Sequence, residues 1–197
     1  KGNYCWQMMT QEGYTKAAGY FELALKKDPD YALSYAGLAT IHMFSTAYGD
    51  VPPNQAYPKA VEFVNKAINM DSTLAGAYSV LGVINTFHYW NWKEAERNLR
   101  HALQINPNSS LIHIFYSLML TCTGRHEEAI AEAVRAQELD PLSYFINTFA
   151  GVAYAYSGNF DRAVEEYKMT LSINPGYFFA NSQLGMSYFG KSMIREA

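Results

Sequence analysis

The chain has 197 residues, 49% of them hydrophobic and 15% aromatic, and a formal net charge of −3. Its basic residues are scattered, which argues against a surface that tracks phosphates, and no uncharged run is apolar enough throughout to span a membrane. No basic segment followed by an apolar one marks a secretory signal. The only two cysteines, Cys5 and Cys122, read as reduced small apolar residues of a cytoplasmic protein.

In chain order, the opening segment places Gly2 at a small helix-contact position, and a second helix follows with Ala17, Phe21 and Ala24, closed by the segment ALKKDP at Pro29. From Ala32, a helix carrying Tyr35, Leu38 and Ala39 leads into a long turn, Thr46 to Lys59. A partner with Ala60, Val64 and Ala67 ends at AINMDS, where Ser72 replaces the proline. From Ala75, Tyr78, Leu81 and Gly82 precede the turn His88 to Trp92, and Ala95, Leu99 and Ala102 lead to Pro107. The next pair has Ser117, Gly124, Ala129, Ala133 and Ala136 before Pro141, with Ala133 small where its counterparts are bulky. The pair from Tyr144 has Ala150, Gly151 and Tyr154, a break at Gly158-Asn159, then Ala163, Tyr167 and Thr170 before Pro175. Asp161 is placed to cap that second helix. Asn181, Leu184, Gly185 and Tyr188 form one further first helix.

Pro107, Pro141 and Pro175 stand 34 residues apart, each closing the same kind of segment. A helix–turn–helix unit at a fixed period is the building block of a solenoid. The pattern resembles the tetratricopeptide repeat: a small residue late in the first helix, alanine early in the second, a bulky residue four later, alanine after that, and a closing proline. The resemblance implies an all-α, right-handed solenoid of antiparallel helix pairs, a single array over 1–197. Its units run approximately 1–31 (partial), 32–74, 75–109, 110–143, 144–177 and 178–197 (partial). Lys1 begins partway along a first helix and Ala197 stops early in a second, which predicts a fragment of a longer protein. The Tyr-Gly…Pro-Pro insertion followed by His-Tyr-Trp-Asn-Trp is similar to a subset of bacterial tetratricopeptide modules, commonly fused to regulatory domains.

Asp, Glu, Lys and Arg are absent from 32–49, 74–92, 107–124, 141–160 and 175–190, the spans that hold five first helices. In the family these helices line a concave face where peptides or partner helices bind. Carried over, the partner-binding positions are Thr40, Met43, Phe44, Ser79, Val83, Phe87, Ile114, Leu118, Thr148, Val152 and Tyr156. The lysine, asparagine and arginine set with which chaperone-binding members clamp a carboxylate is lacking, so an acidic tail is not expected as ligand. The competing reading is that these helices are uncharged because they are buried. An edge patch is expected from Tyr48, Pro52, Pro53, Tyr89, Trp90 and Trp92, with the Pro-Pro loop beside the tryptophans. It reads either as an interaction site or as a loop that only packs on its neighbour.

No catalytic constellation, metal spacing or phosphate loop is visible, so no cofactor and no metal are expected. His126 with Glu127 and Glu128 reads as a solvated helix start, and Glu165 and Glu166 as polar-face charge. Asn108-Ser109-Ser110 reads as a helix cap after Pro107. The expected function is non-catalytic recognition of a protein or peptide within a larger regulatory or scaffolding chain. No nucleic-acid or membrane partner is expected for this segment, and a homodimer through its terminal units is a further expectation. The alternative is a structural spacer or self-association module; a small-molecule sensor at the aromatic edge is a third reading.

Overall fold

The residue before a proline is driven out of the helical region by the pyrrolidine ring. In the computed structural model, Asp28, Asn106, Asp140 and Asn174 each take extended or near-extended backbone and end a helix one residue ahead of Pro29, Pro107, Pro141 and Pro175. Asp71 adopts the same geometry, with φ −146° and ψ 101°, although Ser72 follows it. Its carboxylate accepts hydrogen bonds from the Thr73 amide at 2.8 Å and the Thr73 hydroxyl at 2.6 Å, which hold its pKa below the usual aspartate range. A side-chain turn thus replaces the lost proline.

The structure describes Gly2, 10–46 and 51–196, with side chains to Ser192. Among the described residues it is all-α, with ten helices: α1 Gln11–Lys27, α2 Ala32–Ser45, α3 Pro53–Met70, α4 Ala75–Phe87, α5 Trp92–Ile105, α6 Ser110–Cys122, α7 His126–Leu139, α8 Tyr144–Tyr156, α9 Phe160–Ile173 and α10 Phe178–Glu196. They group into two compact units, 1–106 and 107–197. In the first, α1 packs on α2, α2 on α3, α4 on α5, and α2 also touches α4. In the second, α6 packs on α7, α8 on α9, α9 on α10, and α6, α8 and α10 touch in succession. Short connections make consecutive helices antiparallel, so within each unit the first helices of successive pairs lie side by side.

The helix pairs close on small-to-large contacts. Gly82 faces the Leu99 side chain, and Gly151 faces the Tyr167 ring. Phe21 lies against both Gly2 and Gly37, inside a cluster of Tyr14, Ala17, Leu38 and Ile41. In the α6–α7 pair the sizes are exchanged. Ser117 replaces the glycine and Ala133 replaces the bulky residue, so the shared volume is kept. The Ser117 hydroxyl, fully buried, donates to the Ala129 carbonyl at 2.7 Å.

Helix starts differ in part from expectation. Ser109 caps α6 through its side chain, as its sequence context predicts. The cap of α9 is Asn159, not Asp161; Asp161 sits in the first turn and pairs with Lys191. The turn after α2 is shorter than expected, because α3 begins at Pro53. Proline is compatible with a first helical position, where no N–H is needed. Pro58 then falls inside α3.

Candidate functional site

In the first unit the proposed partner-binding positions lie on α2 and α4. Met43 and Ser79 are buried; Thr40, Phe44 and Val83 are half-buried; Phe87, at the end of α4, is 44% exposed. The hydroxyls of Thr40 and Ser79 donate to the Ala36 and Gly76 carbonyls one helical turn back. Phe44 stacks on Tyr14, with centroids 5.9 Å apart, and so serves the core of its own unit.

In the second unit Ile114, Leu118, Thr148 and Val152 are buried, while Tyr156 is 66% exposed. Thr148 bonds to the Thr170 hydroxyl at 3.2 Å and is fully enclosed, so it belongs to the α8–α9 contact. Much of the uncharged character of these helices therefore reflects packing. Solvent reaches parts of them: Cys122 and Tyr156 end α6 and α8 and are exposed, and Met186 and Phe189 near the middle of α10 are 64% and 68% exposed. Partial burial raises the Cys122 thiol pKa, which works against thiolate reactivity.

Sequence reasoning missed an aromatic ladder in this unit. Phe115 meets Phe145 edge-on at 6.3 Å, Phe145 meets Phe149 at 4.7 Å, and Phe149 meets Phe179 at 5.4 Å. The four-residue spacing of Phe145 and Phe149 on one helix face is the signal that could have found it.

It also missed a buried polar cluster. Glu166 is only 5% exposed, unlike Glu165 beside it, whose carboxylate meets Arg162 in the open. Gln137 donates to Glu166 at 2.6 Å and to Asn147 at 2.9 Å; Arg162 reaches Glu166 at 3.2 Å, and Asn147 donates to the Pro141 carbonyl. Every element of the cluster is partnered, which marks it as a structural tie between α7, α8 and α9. His126 departs from a solvated helix start, since its Nδ1 is buried without a hydrogen-bond partner. His113 lies at 2.5 Å from Glu132 and 3.0 Å from the Pro107 carbonyl.

The expected edge patch is divided. Tyr48 lies outside the described residues, and so does Cys5. The contact across the edge joins Tyr57 of α3 to His88, with centroids 4.6 Å apart, and His88 to Tyr89 at 4.8 Å. Tyr89, Trp90 and Trp92 are 49%, 70% and 42% exposed, and Pro52 and Pro53 are exposed as well.

Unit 1 also carries an open depression of about 470 Å³ lined by Tyr78, Arg97, Asn98, Arg100, His101 and Gln104. Arg97 pairs with Glu94 at 2.5 Å and Arg100 with Glu96 at 3.0 Å, so its cations are already matched on their own helix. Among the described residues, no group of three or more His, Cys, Asp or Glu could hold a metal, and no helix is long and apolar enough to cross a membrane.

Paired antiparallel helices with small-to-bulky sockets and proline stops define an all-α helical repeat. The chain has the tetratricopeptide-repeat fold. It overlays TTC0263, a thermophilic tetratricopeptide protein of Thermus thermophilus, with a TM-score of 0.73 at 20% identity, over 95% of this chain and 96% of that one. YrrB, a tetratricopeptide protein with an unusual peptide-binding site, matches at 0.55 and 22% over 91% and 88%. The human IFIT1 dimer with PPP-AAAA matches at 0.79 and 17%, over 95% of this chain but 45% of that one. No family model and no curated protein matches the sequence.

Proposed function

We propose that this chain is a non-catalytic interaction module that binds a neutral peptide or partner protein through exposed side chains of its first helices. It would serve as part of a larger regulatory or scaffolding protein of the cytoplasm. The observation that carries the reading is in the second unit. Tyr156, Met186 and Phe189 are more than half exposed on first helices whose spans 141–160 and 175–190 lack charged side chains. Exposed aromatic and thioether surface of this kind is the usual material of recognition.

YrrB, with the same fold, has a peptide-binding site, which supports a peptide as the ligand class. IFIT1 shares the fold with PPP-AAAA bound, and there the chemistry diverges. A triphosphate needs several cations, whereas α6 and α8 have no lysine or arginine. Selection from a random peptide library, followed by titration, tests the proposal. Affinity for selected peptides is expected to change by less than about twofold between low and high salt, since exposed charge pairs are what salt screens. Tyr156→Ser with Phe189→Ser is expected to abolish binding. Steep salt dependence, or full affinity in the double variant, would overturn it.

A self-association reading rests on α10. Phe178 is 82% exposed and Gly185 has nothing over it, whereas Gly82 and Gly151 are covered by Leu99 and Tyr167. Leu184, the residue before Gly185, packs on the Tyr154–Ala163–Tyr167 cluster. A dimer in sedimentation that dissociates in Phe178→Asp, with peptide binding unchanged, would favour this reading.

A further inference from the structure

Three turns join a first helix to a second through one residue of left-handed backbone. Two use glycine: Gly124 at φ 75° and Gly158 at φ 84°. Each stands just before the N-cap residue of the second helix, Arg125 or Asn159. The third turn, between α4 and α5, puts Trp90 at that place, one residue before the N-cap Asn91, at φ 56°. Left-handed backbone is strained for a bulky side chain and ordinary for glycine. The turn is tightly held. The Tyr89 amide donates to the Ile84 carbonyl at 3.2 Å, the Asn91 amide to the Asn85 carbonyl at 2.9 Å, and the Asn91 side chain accepts from the Glu94 amide at 3.3 Å. The outcome is a tryptophan 70% exposed on a rigid base, with Phe87, Tyr89 and Trp92 in the same short segment at 44%, 49% and 42%. Strain retained where glycine would remove it points to a role for the side chain.

We infer that this turn is a docking site for a short proline-rich segment in polyproline II conformation. Two features select that occupant. The first is hydrogen-bond complementarity. The indole N–H groups of Trp90 and Trp92 and the Lys93 ammonium are donors only, and the Tyr89 hydroxyl can also donate. No carboxylate occurs from Phe87 through Lys93, the Asn91 oxygen is used as a cap, and the Tyr57 hydroxyl is engaged with Thr46. A proline-rich backbone offers carbonyl acceptors and lacks N–H donors, so it matches a surface rich in side-chain donors. A quaternary ammonium would gain from a carboxylate, which 87–93 lacks. The second feature is size. Four aromatic side chains of about 150–250 Å² each, at these exposures, offer on the order of 400 Å². That is about half of what each partner contributes to a stable globular interface. It suits about five residues of polyproline II, roughly 15 Å long at 3.1 Å per residue, laid across aromatic ridges. The site is distinct from the first-helix surface of the second unit, so either stands if the other fails.

The test uses the full chain with Trp6→Phe, so that emission reports Trp90 and Trp92. Titration with a synthetic decaproline peptide is expected to shift the emission saturably. A glycine–serine peptide of equal length and a chito-oligosaccharide are expected to leave it unchanged. Trp90→Gly is the decisive variant: it relaxes the backbone while removing the ring. It is expected to keep or raise the thermal midpoint and to weaken decaproline binding by about tenfold or more, the loss typical of an interface anchor. Trp92→Ala provides a second reading of the same loss. An emission unaffected by decaproline at millimolar concentration would overturn the inference. So would an equal response to either control ligand, or undiminished affinity in Trp90→Gly.

Discussion

The Gly151–Tyr167 socket allows a sharp test of what joins a helix pair. A Cβ added at Gly151 would fall 2.5 Å from Tyr167 Cε1, 2.9 Å from Cζ and 3.0 Å from Cδ1. The obstacle is the middle of a ring that is itself completely buried, not the end of a flexible chain. Ala163, fully buried, and Leu184 pack within the same cluster, so the ring has little room to retreat. Gly151→Ala gains about 1 kcal/mol of helix propensity and loses about 1–3 kcal/mol to overpacking. Gly185, also inside a helix, has nothing within 4 Å of an added Cβ, so Gly185→Ala keeps the propensity gain alone. The two single-methyl variants should therefore differ by about 1–3 kcal/mol, the overpacking cost isolated from the backbone effect. Gly151→Leu should cost on the order of 2 kcal/mol or more. Urea and thermal unfolding followed by far-UV circular dichroism measure the difference. Urea midpoints that rise alike in Gly151→Ala and Gly185→Ala would refute the socket argument.

Tyr167→Phe should change stability by less than about 1 kcal/mol, because the buried phenol has no well-formed hydrogen bond and only a weak interaction with Ser187; a measured loss above that size would show a full hydrogen bond to the hydroxyl. Burial also pushes its pKa up, so the phenol should not ionise in an alkaline absorbance titration before the chain unfolds. Glu166→Ala should cost about 1–3 kcal/mol through the Gln137 amide it strands, whereas Glu165→Ala should cost under about 0.5 kcal/mol as an exposed pair; equal midpoints in unfolding would contradict the cluster. Burial, reinforced by Lys59 and opposed by Glu22, lowers the His42 pKa below its ordinary 6.5. The unfolded chain therefore takes up the proton first on acidification, so His42 contributes stability above pH 6.5 that falls away as pH drops through that value. Beside the Phe63 ring at 5.5 Å, His42→Gln should flatten that limb of the stability–pH curve, and an unchanged slope would remove His42 as its cause.

What could be read from the residues alone divides along a physical line. Contacts between neighbouring helices of one pair are written as spacing, because the helical period fixes which residues share a face. That Gly2, Gly82 and Gly151 stand at helix contacts follows from it, and the structure supplies Phe21, Leu99 and Tyr167 as their partners. The proline stops follow from sterics one residue wide. How deeply a face is covered is not encoded in its own spacing. Thr148 and Tyr156 lie on one helix and share the same uncharged span, yet one is sealed against Thr170 and the other stands in solvent. Glu165 and Glu166 are adjacent and chemically alike, yet Gln137, twenty-nine positions upstream of Glu166, draws only the latter inside. The α3 start at Pro53 was misplaced for the opposite reason: a proline cluster suggests a turn, but proline at a first helical position costs no hydrogen bond. Trp90 is the informative exception. Its period was legible and its conformation was not, since a tryptophan gives no local signal for left-handed backbone. The equivalence with Gly124 and Gly158 appears only when the three turns are aligned by the N-caps that follow them. A rule obeyed twice with glycine and broken once with the bulkiest side chain is the place where packing alone accounts for least.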